Sequence, residues 1–285
     1  MALAARTGWA QASVATDLWR VAQGTLTRPL ALSEGAGAVL WTPAVALDTA
    51  TRVRIGVEAV HAPSETGVQS GFAGLSVRTG PVTLNAGYGR IGISDVAFTE
   101  TSPEEVGGAI PIWSQSMSLG AAIHPLPGLT TGAALRALSG RLGPSARSHA
   151  GLDLGLRYDL SRAALAVATQ FLGAGSAEQG AVYSVGGEVR SAPLRQLSQA
   201  RVAARYGATL QHGEGAQHLL TASVLYGRLG VDWGAARENA FGDVLWRSRF
   251  AVTIGAGGYR VDIARDGGAH GFGATWRFAL TGDFR

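Results

Sequence analysis

Six histidines and a large set of arginines are the side chains most able to do chemistry in this chain, and their spacing argues against catalysis. A hydrolytic pair carried on one strand needs its His and Ser two residues apart, so that both side chains point the same way. Two positions beyond His61, His124, His149, His212, His218 and His270 stand Pro63, Leu126, Gly151, Glu214, Leu220 and Phe272. No Asp-His dipeptide occurs, as a rim protease with paired acidic residues would require. The histidines show no metal-ligand spacing. Cysteine is absent, so disulfides, thiolate nucleophiles and Cys-ligated metals are excluded. Gly35-x-Gly37 leads into no phosphate-binding helix. The expectation is a protein that is not an enzyme, with no catalytic residue, no metal and no cofactor.

Lysine is also absent, so all 24 basic residues are Arg, which fits the codon usage of a GC-rich genome. The net charge of +4 is small and scattered. With no basic run and no aromatic-basic interleaving, nucleic acid is not expected as a partner. Hydrophobic residues make up 46% and charged ones 15% of the chain, yet no apolar run reaches the ~18–20 residues of a transmembrane helix. Such a chain must distribute its apolar residues by alternation. Its 41 glycines are about double the usual share of ~7% and lack the every-third repeat of collagen. They suit turns, bulges and crowded barrel interiors.

The elements that would position these side chains follow a period of two from Thr51 onward. In Gly151 to Leu160 the residues Leu152, Leu154, Leu156, Tyr158 and Leu160 fall on one face, opposite Asp153 and Arg157. Val53, Ile55 and Val57 oppose Arg54 and Glu58 in the same way. Tyr183, Val185 and Val189 oppose Glu188 and Arg190; Val202, Ala204 and Tyr206 oppose Arg201 and Arg205. Each run is about nine to eleven residues, the length of a tilted strand crossing a bilayer. Tyr88, Trp113, Tyr158, Phe171, Tyr206, Tyr226 and Phe278 fall near span ends, as girdle residues would. Pieces such as Arg78-Thr79-Gly80-Pro81 and Ser139 to Pro144 read as turns. The count predicts twelve to fourteen strands, with Gly227 to Gly258 fitting one long strand or two. A soluble β-sandwich would alternate too, but long, numerous spans with an oily face and no lysine-bearing edges are simplest as a closed sheet. The predicted fold is all-β, a transmembrane antiparallel up-and-down barrel in the bacterial outer membrane, in contact with its lipid.

One stretch does not alternate. Gly35 to Leu47, GAGAVLWTPAVAL, is apolar, rich in small residues and broken by Pro43. Together with Glu34, and followed by the first strand, it resembles the N-terminal hatch of the long-chain fatty acid transporter superfamily of outer-membrane barrels, most of all the PorV-type branch. There a small-residue run precedes an aromatic-Asn-Pro-Ala-Gly-Leu motif. This chain carries Thr42 in place of Asn and Val45 in place of Gly, and matches at Pro43 and Ala44. The resemblance implies fourteen strands, a hatch over residues 13–50 plugging the lumen and a barrel over 51–285. Gly35, Gly37, Leu40, Trp41, Thr42, Pro43 and Ala44 would then be the gating residues. It further implies passive uptake or holding of a small hydrophobic cargo, which leaves sideways through a kink in the wall. Ahead of it, Ala10-Gln11-Ala12 has the form of a small-x-small cleavage site, so residues 1–12 read as the remnant of an export signal.

A lumen of about fourteen strands is too wide for wall side chains to fill, and a segment inside it must find hydrogen-bond partners on the polar inner wall. The lumen-facing charges expected to supply them are Arg54, Glu58, Arg136, Asp153, Arg157, Glu188, Arg190, Arg201 and Arg205. These are expected to pair across neighbouring strands; a ladder of arginines attracting anionic cargo is the alternative. The insertion Ile91 to Ile110, acidic through Asp95, Glu100, Glu104 and Glu105, reads as an extracellular lid or docking loop and lacks calcium-loop spacing. The competing functional class is a non-transporting barrel that docks secreted or surface proteins through such loops, as PorV-type barrels do.

Overall fold

The computed structural model describes residues 18–19, 22–23, 25–63, 67–94, 97–99, 106–172, 181–193, 199–211, 215–240, 243–268 and 273–285. Sixteen strands follow two short 3-10 turns at Leu30–Leu32 and Ala36–Leu40. They are β1 (Val53–His61), β2 (Val68–Thr79), β3 (Val82–Ile93), β4 (Ala97–Thr99), β5 (Val106–Ala109), β6 (Ile112–Leu126), β7 (Leu129–Leu142), β8 (Ser145–Asp159), β9 (Ala163–Leu172), β10 (Val182–Arg190), β11 (Ala200–Gln211), β12 (Gln217–Tyr226), β13 (Leu229–Ala240), β14 (Asp243–Ala256), β15 (Tyr259–Asp266) and β16 (Thr275–Phe284). Fourteen of them close into one barrel, and β4 and β5 pair separately as a small hairpin between β3 and β6. Every barrel strand runs antiparallel to its neighbours, and β1 closes onto β16 with Val53 opposite Phe284.

Alternation decides which way each residue faces. On β8 the side chains of Leu152, Leu154, Leu156 and Tyr158 are exposed on the outside while Asp153, between Leu152 and Leu154, is fully buried. The exterior therefore carries a continuous apolar surface, with Leu135, Leu165, Leu220 and Trp233 all at least 60% exposed. So large an apolar surface is unstable in water and is the ordinary exterior of a barrel in lipid. The barrel, its apolar belt and its polar interior place the chain in a bacterial outer membrane.

The two ends of the barrel differ. At the end that holds the start of β1 and the end of β16, the connections are short except β10/β11 (residues 191–199): β2/β3, β6/β7, β12/β13 and β14/β15 are two residues each, residues 80–81, 127–128, 227–228 and 257–258. At the other end the connections include residues 94–111, 173–181 and 267–274. Short turns face the periplasm and long loops the exterior, which orients the molecule.

Several expectations change in detail. Gly227 to Gly258 holds two strands, β13 and β14, which brings the barrel to fourteen. Several strands exceed the expected nine to eleven residues; β6 and β8 have fifteen. The turn expected from Ser139 shrinks to Gly143-Pro144, because β7 stays paired with β8 through Leu142 and Ser145. Phe171 is not a girdle residue. It has φ +62, the β8–β9 register slips between Leu152 and Leu154, and the ring turns inward to 8% exposure. A bulge inserts one extra residue and reverses the facing beyond it, which alternation alone does not reveal. Within Ile91 to Ile110 the structure shows the β4–β5 hairpin, whereas Asp95, Glu100, Glu104 and Glu105 lie outside the described residues, as do residues 1–12.

Candidate functional site

Residues 25–47 lie against inward-facing side chains of the wall. The backbone turns at Gly35, whose φ of +95 favours glycine, and a Cβ on Gly37 would fall 2.4 Å from Glu58 Oε1. Ala36–Leu40 then makes one 3-10 turn, and Val39, Leu40, Trp41 and Thr42 are each no more than 2% exposed. Trp41 packs edge-on to Trp19 at 5.9 Å and lies 6.1 Å from Phe72 of β2. Trp19 also donates from Nε1 to Ser114 Oγ at 2.9 Å.

The backbone of this segment is satisfied by wall side chains, as a buried irregular chain requires. Arg136 Nη2 donates to the Leu40 carbonyl at 2.8 Å, and Gln170 Nε2 donates to the carbonyls of Leu40 (3.0 Å) and Trp41 (2.8 Å). Asn85 Nδ2 donates to the Val45 carbonyl at 2.9 Å, and the Leu47 N–H donates to Thr83 Oγ1 at 3.1 Å. Thr42, which stands where the resembled motif has Asn, accepts the Ala44 N–H on its own hydroxyl at 3.3 Å.

Two parts of the segment, residues 42–44 and Pro29, rest on glycine pairs of the wall. Gly132 of β7 faces Gly155 of β8 in register, and a Cβ on Gly132 would fall 2.0 Å from the Pro43 carbonyl oxygen. Gly186 of β10 faces Gly207 of β11, and a Cβ on either would meet Pro29 within about 3 Å. These four glycines went unrecognised in the sequence. The available signal is glycine at inward positions in mid-strand, where neither turn nor bulge needs it.

All the expected inner charges except Arg201 pair with an opposite charge. Arg54 binds Asp283, Arg157 binds Asp159 (2.9 Å) and Glu34 (3.2 Å), and Glu58 binds Arg277. Arg136 and Asp153 pair at 2.6 Å with both side chains almost fully buried. Glu188 binds both Arg190 and Arg205, and Arg205 reaches Asp232 at 3.1 Å. Arg201 shares the inward parity of Ala203 and Arg205 but is exposed at the start of β11. Sequence reasoning missed a second cluster, Arg247 and Arg249 with Glu238 and Asp266, because it lies in and beyond the segment whose strand division was open.

The segment itself carries Arg28 and Glu34, which pair with each other. Burial opposes ionisation of Glu34, but Arg28, Arg157 and Arg260 outweigh it and hold the carboxyl at about 2. Burial likewise disfavours charge on Arg28, and Glu34, Asp232 and Glu188 more than compensate. Asp48, just beyond, is lowered because hydrogen bonds from Thr51 and Ala50 outweigh a desolvation cost. Between segment and wall, beside Trp41, Arg28 and Arg260, lies a cavity of about 280 Å³.

A closed fourteen-stranded wall, apolar outside and ion-paired inside, defines the chain as an outer-membrane β-barrel. No protein-family profile matches it, and no curated protein does. Solved structures share its fold. The Ralstonia pickettii toluene transporter TbuX aligns with a TM-score of 0.61 at 13% identity, over 92% of this chain and 98% of that one. The Pseudomonas putida toluene transporter TodX aligns with a TM-score of 0.61 at 11% identity, over 90% and 96%. The Acinetobacter baumannii outer membrane protein Omp33 aligns at 0.50 and 10%, over 82% and 98%. At these identities the likeness is one of fold.

Proposed function

We propose that this barrel mediates passive uptake of small hydrophobic molecules, without chemistry, and that residues 35–44 form its gate, as in the long-chain fatty acid transporter superfamily. The observation that carries the reading is the way the segment is held. Its carbonyls at Leu40 and Trp41 bind two wall side chains, Arg136 and Gln170, and its buried surface is Val39, Leu40 and Trp41. The bonds from Gln170 contribute about 0.5–1.5 kcal/mol net each and the one from the charged Arg136 about 1.5–3 kcal/mol, so displacing the segment costs less than unfolding the wall. The buried inner arginines Arg136, Arg205 and Arg249 already have carboxylate partners, which favours uncharged cargo over anionic cargo. The likeness of fold to toluene transporters supports the same cargo class.

The test is accumulation of radiolabelled toluene by cells expressing the wild type, the Pro43→Ala variant and a deletion of residues 35–37. Uptake above the empty-vector level that rises in the deletion supports the gate. Uptake equal to the vector in every case removes the reading.

A further inference from the structure

Inside and outside arginines live under different rules in this barrel. Among the described residues the inward-facing Arg54, Arg136, Arg157, Arg190, Arg205 and Arg277 each have a carboxylate partner, whereas Arg78 donates to the carbonyls of Thr49 and Thr51 and Arg201 is exposed at a strand start. Four others face outward: Arg90 on β3, Arg141 on β7, Arg237 on β13 and Arg265 on β15. Among the described residues none of these four has a carboxylate within ion-pair distance. All acidic side chains described on barrel strands, such as Glu58, Asp153, Asp232 and Asp266, alternate with the inward set. The four outward cations also share one end. Each lies within the last four residues of a strand that runs toward the long-loop, extracellular side. Tyr158, Tyr226, Tyr259 and Phe284 mark the outward face at the periplasmic end.

Aromatic rings accompany these cations. The Arg90 guanidinium lies 5.0 Å from the ring centre of Trp113, which is paired in register with Arg141. The Arg265 guanidinium lies 5.9 Å from the ring centre of Trp276. Arg237 sits between Trp246 and His218, and His218 bonds the Tyr206 hydroxyl through Nδ1 at 2.8 Å. An open cleft of about 690 Å³ lies beside Arg90 and Trp113, lined also by Tyr88, Gln69 and Ser70. Stacking orients the planar forks of Arg90 and Arg265 while leaving their N–H groups free. Arg141 is oriented instead by donating from Nε to the Gly143 carbonyl at 2.9 Å, which leaves its two terminal nitrogens outward.

An unpaired guanidinium facing a membrane is costly unless an anion meets it. At this depth the available anions are lipid headgroups, and the fork of Arg matches the oxygens of phosphate. We propose that these outward arginines form an extracellular collar that binds the phosphate groups of a phosphorylated lipid in the outer leaflet. The collar is independent of the gate, because no residue of it touches residues 25–47 by hydrogen bond or ion pair.

The test uses the folded full chain in detergent, titrated with bis-phosphorylated lipid A and with its dephosphorylated form, and read by native mass spectrometry. The variants are Arg90→Gln/Arg141→Gln/Arg237→Gln/Arg265→Gln and, at exposed periplasmic positions, Arg52→Gln/Arg162→Gln/Arg228→Gln. The wild type and the periplasmic variant should bind the phosphorylated lipid at least about tenfold tighter than the dephosphorylated one, since each basic side chain near an anionic surface contributes severalfold. The collar variant should lose that preference while keeping the heat-modifiable gel mobility of a folded barrel. Equal binding of the two lipids by the wild type overturns the proposal, and so does an unchanged preference in the collar variant. Displacement of the lipid by millimolar inorganic phosphate would assign the sites to free phosphate and likewise reject a lipid collar.

Discussion

Gly132 and Gly155 face each other across β7 and β8, and the Pro43 carbonyl occupies the space a side chain at Gly132 would need. The wall is thus shaped for the segment at a point where neither strand requires glycine for its own conformation. A Gly132→Val substitution adds bulk where the nearest atom is backbone, so the segment must move away. We expect the barrel to remain folded, with residues 35–47 more open to protease and single-channel conductance raised. A variant with wild-type protection and conductance would show that the glycine pair does not seat the segment.

Arg136 joins wall and segment through one buried network. Its guanidinium binds Asp153, Ser116 Oγ and the Leu40 carbonyl, and lies 5.1 Å from the Phe171 ring centre. Removing one partner of a buried pair leaves an uncompensated charge, at a cost of about 3–5 kcal/mol. Asp153→Ala should therefore lower the unfolding free energy by about that amount in urea titrations of the barrel in lipid vesicles. The double change Arg136→Met/Asp153→Leu should cost less than Asp153→Ala alone. The opposite ranking would mean that the pair stabilises the barrel in its own right.

Phe171 reverses an ordinary ranking. Its φ of +62 disfavours any residue with a Cβ by roughly 1–2 kcal/mol. With the ring removed in both cases, Phe171→Gly should be more stable than Phe171→Ala by about 1 kcal/mol, although glycine in a regular strand is the weaker residue. Both should fall below the wild type, because the buried ring is lost. Side-by-side unfolding curves decide it, and an alanine variant that equals or exceeds the glycine one counts against a strained bulge.

Glu34 supplies a pH dependence with a definite sign. Its folded value of about 2 lies below the ordinary 4.5, so the carboxylate stabilises the seated segment above about 4.5. That contribution declines as pH falls through the interval toward 2 and protons replace the partners Arg28 and Arg157. Protease protection of residues 35–47 should be level from neutral pH to about 4.5 and then decrease. Glu34→Gln should begin at the lower protection and show a flatter profile. A wild-type curve that falls between pH 7 and 6 would point to a different group.

What the residues establish by themselves is the wall. A period of two in hydrophobicity, set by the geometry of an extended chain, is enough to tell oily from polar faces, to number the spans within two and to identify Gly35 to Leu47 as the stretch that fails to alternate. The inner charges were legible for the same reason, since Arg54, Glu58, Arg136 and Asp153 each sit out of phase with a Leu, Val or Ile. Pairing was not. Which arginine meets which carboxylate depends on register and closure, which join residues as distant as Arg54 and Asp283. The inward turn of Phe171 arises from one extra residue in β9 relative to β8, a property of two strands together. The glycine pairs under Pro29 and Pro43 likewise exist only once neighbouring strands are aligned and the segment is laid against them. Local periodicity is written along the chain, whereas contact between distant residues is created by closing the sheet, and the candidate site is made of such contacts.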